Sequence, residues 1–201
     1  MAAGRAVLIW AALVVAVAAP IAVTATSPLL AWRDPVYVAA GFAGVVAMAL
    51  MLLQPLLAGG YLPGLGPGRG RRVHRLIGVA LLVAVIGHVV GLWITSPPDA
   101  IDALLLRSPA PFAPWGVIAM WGVFAAALLA LVRTRLRPRV WRLGHGGIVA
   151  LVVVTSAAHA LLIEGTMGTV TKAVLCALTV VATAKVLSDL RIWRLLRRRG
   201  A

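Results

Sequence analysis

Acidic residues are nearly missing from this chain: five Asp and Glu stand against nineteen Lys and Arg in 201 residues, for a formal net charge of +14. In a soluble protein that excess would suggest nucleic acid. Here only 12% of residues are charged and 62% are hydrophobic. The mean hydropathy of +1.02 lies outside the range of ordinary soluble domains, so a bilayer rather than a nucleic acid is the expected partner. Cysteine is down to one, Cys176, which excludes an internal disulfide and leaves the redox compartment open; it reads as a packing or lipid-facing residue. No Gly-rich phosphate loop or dinucleotide fingerprint occurs. The stretches between apolar runs are too short to hold a soluble domain, so the chain carries no nucleotide-binding module of its own.

What is abundant is apolar sequence in long runs. A membrane-spanning helix needs ~20 mostly apolar residues, and six segments qualify, at about 6–24, 36–58, 74–95, 113–132, 143–163 and 168–188. They predict an all-α integral membrane protein, a single six-helix domain over residues 1–201. The first segment also has the look of a signal peptide, with Arg5, an apolar run broken by Pro20 and small residues between Ala22 and Ser27; a retained helix is the reading adopted. Trp10, Trp32, Trp93, Trp115, Trp141 and Trp193 lie near segment ends, as interfacial tryptophans do. Trp121 and Met120 fall near the middle of the fourth segment, as packing or lipid-facing residues.

The positive charge is unevenly placed. Arg5 precedes the first segment, Arg69, Arg71, Arg72 and Arg75 precede or open the third, and Arg133, Arg135, Arg137, Arg139 and Arg142 lie between the fourth and fifth. Lys185, Arg191, Arg194, Arg197, Arg198 and Arg199 close the chain. The alternate connections hold Arg33, Arg107 and Lys172 with Asp34, Asp99, Asp102 and Glu164. Positive charge marks cytoplasmic loops, so both termini are expected in the cytoplasm of a multi-pass inner or plasma membrane protein.

Four histidines complete the inventory. They form two pairs of one spacing, His74 with His88 and His145 with His159, each fourteen residues apart. Fourteen residues are about four helical turns, so the members of a pair share one helix face and stand ~21 Å apart. One ion cannot bridge that distance. Two stacked cofactors can be held instead, each between one histidine of the third helix and one of the fifth. Those helices run the same way, so His74 and His145 share one depth and His88 and His159 another. Imidazole is a usual axial ligand of haem iron, and ionisable groups inside a bilayer are expensive and usually functional. The expectation is two b-type haems, ligated by His74/His145 near the cytoplasmic face and by His88/His159 in the outer half; the lack of C-x-x-C-H excludes covalent c-type attachment.

Local sequence fits either a porphyrin or close helix packing. Gly78 lies one turn beyond His74, Ala84 and Gly91 flank His88, and Gly144, Gly146 and Gly147 surround His145. The second ring nitrogen of a ligand needs an acceptor; for His159 the Thr155 or Ser156 hydroxyl or a backbone carbonyl would serve. Arg71, Arg72, Arg75 and Arg142 lie within about a turn of His74 or His145, where guanidinium groups suit the propionates of an inner haem. Arg135, Arg137 and Arg139 are more remote and suit the steering of an acidic protein donor.

With these residues in place, R-R-V-H-R-L-I-G-V-A-L-L-V-A-V-I-G-H from Arg71 resembles the third helix of the ferric-reductase-like transmembrane domain, and W-R-L-G-H at Trp141 to His145, followed by His159, resembles its fifth. That domain is shared by ferric reductases, NADPH oxidases and the haem-binding membrane subunit of the bacterial methionine sulfoxide reductase system. The resemblance implies electron flow from a cytoplasmic flavin, FAD or FMN on a separate flavoprotein partner, through the inner and then the outer haem to an acceptor outside. The chain is similar to the oxidases and eukaryotic ferric reductases in their membrane half. It departs from the methionine sulfoxide reductase subunit, whose arginine-rich stretch typically lacks the histidine found at His74. Iron, oxygen, quinone or an extracytoplasmic protein are all open as acceptor. The expected role is the haem subunit of an oxidoreductase.

Two other readings are weighed. A quinol-linked respiratory cytochrome b also pairs histidines on two helices, but on the second and fourth, so a retained first helix argues against it. A histidine-based metal transporter would need acidic or thiolate partners within the bundle, and none of the six segments has an Asp or Glu in its interior.

Overall fold

Six helices of the computed structural model, which describes residues 2–190, are long and apolar enough to cross a bilayer. In chain order they are α1 (Ala2–Ala25), α2 (Pro35–Ala58), α3 (Pro67–Thr95), α5 (Ala113–Leu131), α6 (Pro138–Leu162) and α7 (Thr169–Asp189), with a short helix α4 (Pro97–Leu104) between α3 and α5. The all-helical reading and the count of six spans hold. Trp193 and the arginines from Arg191 onward lie outside the described residues.

Two helices begin earlier than their apolar runs suggest. α3 starts at Pro67 rather than 74, and α6 at Pro138 rather than 143. Hydropathy registers only the part of a helix that lipid covers, whereas a proline in the first turn is preorganised for a helix and lacks an N–H that would be unpaired there anyway. The arginine-rich turns are therefore helical extensions of the spans. The 96–112 connection contains α4; two prolines open it and Asp99 stands in its first turn, where negative charge suits the helix dipole. α2 starts at Pro35 because Asp34 caps it, its Oδ1 accepting from the Val36 and Tyr37 amides at 2.7 and 3.3 Å. The tight α2–α3 connection turns at Gly60 and Gly64, whose φ values of 67° and 78° favour glycine.

Packing divides the bundle into two hairpins. α3 lies along α2 and α6 along α5; α7 packs across α2 and α6, and α1 covers α7 and α2. The core follows from that order: Met48, Met51, Leu52 and Leu57 of α2, Val152, Val153 and Ala157 of α6 and Leu175 of α7 are buried together. Cys176 is buried beside them, so it packs inward rather than facing lipid. Small residues set the close approaches. A Cβ on Gly91 would lie 2.6 Å from the Ala40 Cβ, and one on Gly122 2.5 Å from the Val152 Cγ2, as in membrane helices that pack backbone to backbone. Lys172, buried near the start of α7, donates to the Ile163 carbonyl at the C-terminal end of α6, where a cation suits the helix dipole.

The outward faces are apolar. Leu76, Val79, Val83, Ile86 and Val90 of α3 are all exposed, a patch that water would penalise and lipid tails accept. Trp121 belongs to such a face, exposed and edge-on to Phe124 at 5.6 Å, whereas Met120 is buried.

Candidate functional site

The two hairpins deliver four imidazoles to one seam. α3 and α6 have the same plan: proline at the first position, a histidine seven residues later and a second fourteen beyond that. Along this seam His88 and His159 come together, with ring centroids 6.5 Å apart and planes at 79°. His74 and His145 lie within electrostatic reach of each other at the other level. Since like levels meet, α3 and α6 run in the same direction.

The rings of His88 and His159 are fixed from behind by the helices that pack on their own. The Nδ1 of His88 donates to the Ala40 carbonyl of α2 at 2.8 Å, and that of His159 to the Phe112 carbonyl at the start of α5 at 2.9 Å. Four residues after each acceptor stands a glycine, Gly44 or Gly116. A Cβ on Gly44 would lie 3.0 Å from the His88 ring, and one on Gly116 2.6 Å from the His159 ring. Each glycine thus makes the recess in which a ring lies against a neighbouring backbone. The donated proton settles the tautomer and leaves Nε2 of both rings with a lone pair able to bind a metal.

The second level is built differently. His74 donates from Nδ1 to the Gln54 carbonyl at 3.3 Å, and the Gln54 side chain returns a bond from Nε2 to the His74 carbonyl at 3.3 Å. Among the described residues His145 has no acceptor for its buried Nδ1. Its ring instead stacks on Trp141, centroids 4.6 Å apart and planes 16° from parallel. Trp141, expected as an interfacial tryptophan, is thus part of the site. The spacing of four helical residues that puts Trp141 over His145 is visible in the sequence; the carbonyls of Ala40, Gln54 and Phe112 are not, because a backbone acceptor has no residue signature.

The remaining expected residues divide. Gly78 lies 3.5 Å, measured from a built Cβ, from the Gln54 Nε2; Gly144 abuts Leu129 at 3.3 Å, and Gly147 borders open space. Gly91 serves helix packing rather than a ring. Thr155 bonds back to the Leu151 carbonyl at 2.8 Å, so the acceptor for His159 is a carbonyl and not that hydroxyl. Arg71, Arg72 and Arg75 are exposed on the first turns of α3. Arg142 donates from Nη2 to the Leu190 carbonyl at 2.5 Å, which ties α6 to the end of α7.

The donor set fits a metal with a planar ring of its own. Among the described residues no three His, Cys, Asp or Glu gather as a metal cluster; what each level offers is a pair of imidazoles. A metal–imidazole bond is ~2 Å long and a ring nitrogen lies about 1 Å from its centroid, so two imidazoles on opposite sides of one ion stand ~6 Å apart by centroid, close to the spacing of His88 and His159. α3 packs chiefly on α2 and α6 chiefly on α5.

A family model described as the ferric reductase like transmembrane component matches residues 40–156. The chain belongs to that family. The match takes in His74, His88 and His145 with Ala40, Gly44, Phe112 and Gly116, and ends three residues before His159. No curated protein and no solved structure matches the chain. Membership, with six apolar spans, makes this ferric-reductase-like chain a multi-pass membrane protein of transmembrane electron transfer.

Proposed function

We propose that the chain is a haem-binding membrane subunit that carries electrons between the two faces of the bilayer through two haem b groups, one held by His74 and His145 and the other by His88 and His159. The observation that carries this reading is the pairing of His88 and His159, each tied by Nδ1 to a backbone carbonyl and with ring centroids 6.5 Å apart across the seam between α3 and α6. Haem, when bound, supplies a reversible one-electron couple. The protein supplies the rest. His74 with His145, and His88 with His159, would each hold one such group through two imidazoles, and with both protein ligands on the metal the electron would leave by outer-sphere transfer rather than through bound substrate. The carbonyls of Ala40 and Phe112 hold the ligand tautomer, and the apolar bundle excludes water.

Direction follows from charge. The arginine-bearing ends of α3 and α6, with Arg71, Arg72 and Arg75, face the cytoplasm under the positive-inside rule, so the His74/His145 level is the inner one, and both termini are cytoplasmic. The donor is a reduced flavin on a separate cytoplasmic flavoprotein, with acidic groups attracted to Arg135, Arg137 and Arg139. The acceptor is extracytoplasmic, and α4 with Asp99 and Asp102 forms the exposed surface at that end. A pyridine haemochrome assay on detergent-purified protein tests the cofactor: two haems per chain are expected, with His88→Ala or His159→Ala losing the outer one and keeping the inner. Unchanged haem content in all four single histidine variants would refute the reading.

A further inference from the structure

Histidine ligands in this chain are oriented in two ways. His88 and His159 rely on carbonyls, whereas His145 has a buried, unpartnered Nδ1 and is positioned by its stack on Trp141. Trp141 is partly exposed, and the guanidinium carbon of Arg133, from the turn that joins α5 to α6, lies 5.8 Å from its ring centroid. Arg133, Trp141 and His145 therefore form a continuous column from the surface to one inner imidazole.

We infer that Trp141 is the port through which an electron from a reduced flavin reaches the inner histidine pair. The inference rests on the haem-subunit reading and adds the residue that the donor meets. The partly exposed indole offers its edge to an isoalloxazine ring, and Arg133, over the indole, offers a cation to the flavin phosphate. In the step, one electron and one proton leave the reduced flavin; the proton passes to water and the electron to the metal held by His74 and His145, which is reduced by one unit. Trp141 begins and ends neutral. A cation beside the indole opposes its oxidation, so the ring conducts through orbital overlap with His145 and does not hold the charge.

The test uses the full chain in detergent with its haem bound, and reduced flavin mononucleotide as donor under anaerobic stopped flow. Trp141→Leu should slow haem reduction about tenfold or more, while Trp141→Phe, which keeps a π ring, stays within about threefold of the parent rate. Reduction by dithionite should not change in either variant, and flavin-driven rates are taken per inner haem retained. A Leu variant reduced by flavin at the parent rate would overturn the proposal. So would loss of the inner haem from both Trp141→Leu and Trp141→Met with retention in Trp141→Phe, since Trp141 would then only support His145. A parent chain without haem would defeat the functional reading itself, and its spectrum would show this before any variant is made.

Discussion

Replacing Gly116 with alanine adds one methyl group where the structure has no room for it. The new Cβ would lie 2.6 Å from both Cε1 and Nδ1 of His159, against ~3.5–4.0 Å for ordinary carbon contacts, so the ring must retreat by about 1 Å. Its 2.9 Å bond to the Phe112 carbonyl then stretches beyond the ~3.5 Å limit of a real hydrogen bond, and an unpaired N–H in an apolar seam costs ~1–3 kcal/mol. Metal–ligand distances tolerate only ~0.2 Å. Gly116→Ala should therefore lose the outer haem, about half the total by pyridine haemochrome, and keep the inner one. Gly44→Ala is the graded comparison, because its Cβ would stand 3.0 Å from the His88 ring and a shift of a few tenths of an ångström relieves it; most haem should stay. The sign makes the test sharp. In a helix with no ring against it, glycine to alanine stabilises by ~1 kcal/mol. A Gly116→Ala protein with both haems and a raised melting temperature would show that the His159 ring does not lie against α5, and the recess argument would fall.

Three further outcomes follow from the same geometry. Because His88 and His159 both donate strong hydrogen bonds from Nδ1 while His145 donates none, the outer ligands are the more basic and favour ferric iron; spectroelectrochemical titration should resolve two haems, the one lost in His88→Ala having the lower potential, and equal potentials would contradict this. Tyr61, in the α2–α3 connection, donates to the Asp189 carboxylate at 2.5 Å, and desolvation followed by that bond and the carboxylate charge pushes its pKa up to about 12. A raised pKa means the contact's stabilisation is whole below pH 10 and is lost as pH climbs through 10 to 12; ultraviolet titration should show one tyrosine ionising near 12 that disappears in Tyr61→Phe, and a single ordinary transition for both tyrosines would refute the contact. Neutralising Arg135, Arg137 and Arg139 together should slow reduction by a cytoplasmic flavoprotein at low ionic strength with haem content intact, and a rate insensitive to salt and to the substitutions would favour a lipid-soluble donor.

Much of this arrangement is legible in the residues. The spans announce themselves by hydropathy, and the two histidine pairs by a shared fourteen-residue spacing that puts each pair on one helix face. Chain ends of helices are less legible, as Pro67 and Pro138 show: charge hides helical turns from a hydropathy reading. The support of the site is hidden for a different reason. Ala40 and Phe112 act through carbonyls, and Gly44 and Gly116 act by what they lack, on helices that carry no histidine. Trp141 was available from its position one turn before His145, but a tryptophan at a span end also suits the interface, and only the 4.6 Å stack separates the two roles.

The central claim is passage of electrons from one face of the membrane to the other. Protein in sealed liposomes, oriented with the arginine-bearing ends of α3 and α6 toward a flavin donor outside, should reduce a membrane-impermeant acceptor trapped within, and His88→Ala should abolish it. Reduction seen only when donor and acceptor share one face would contradict the claim.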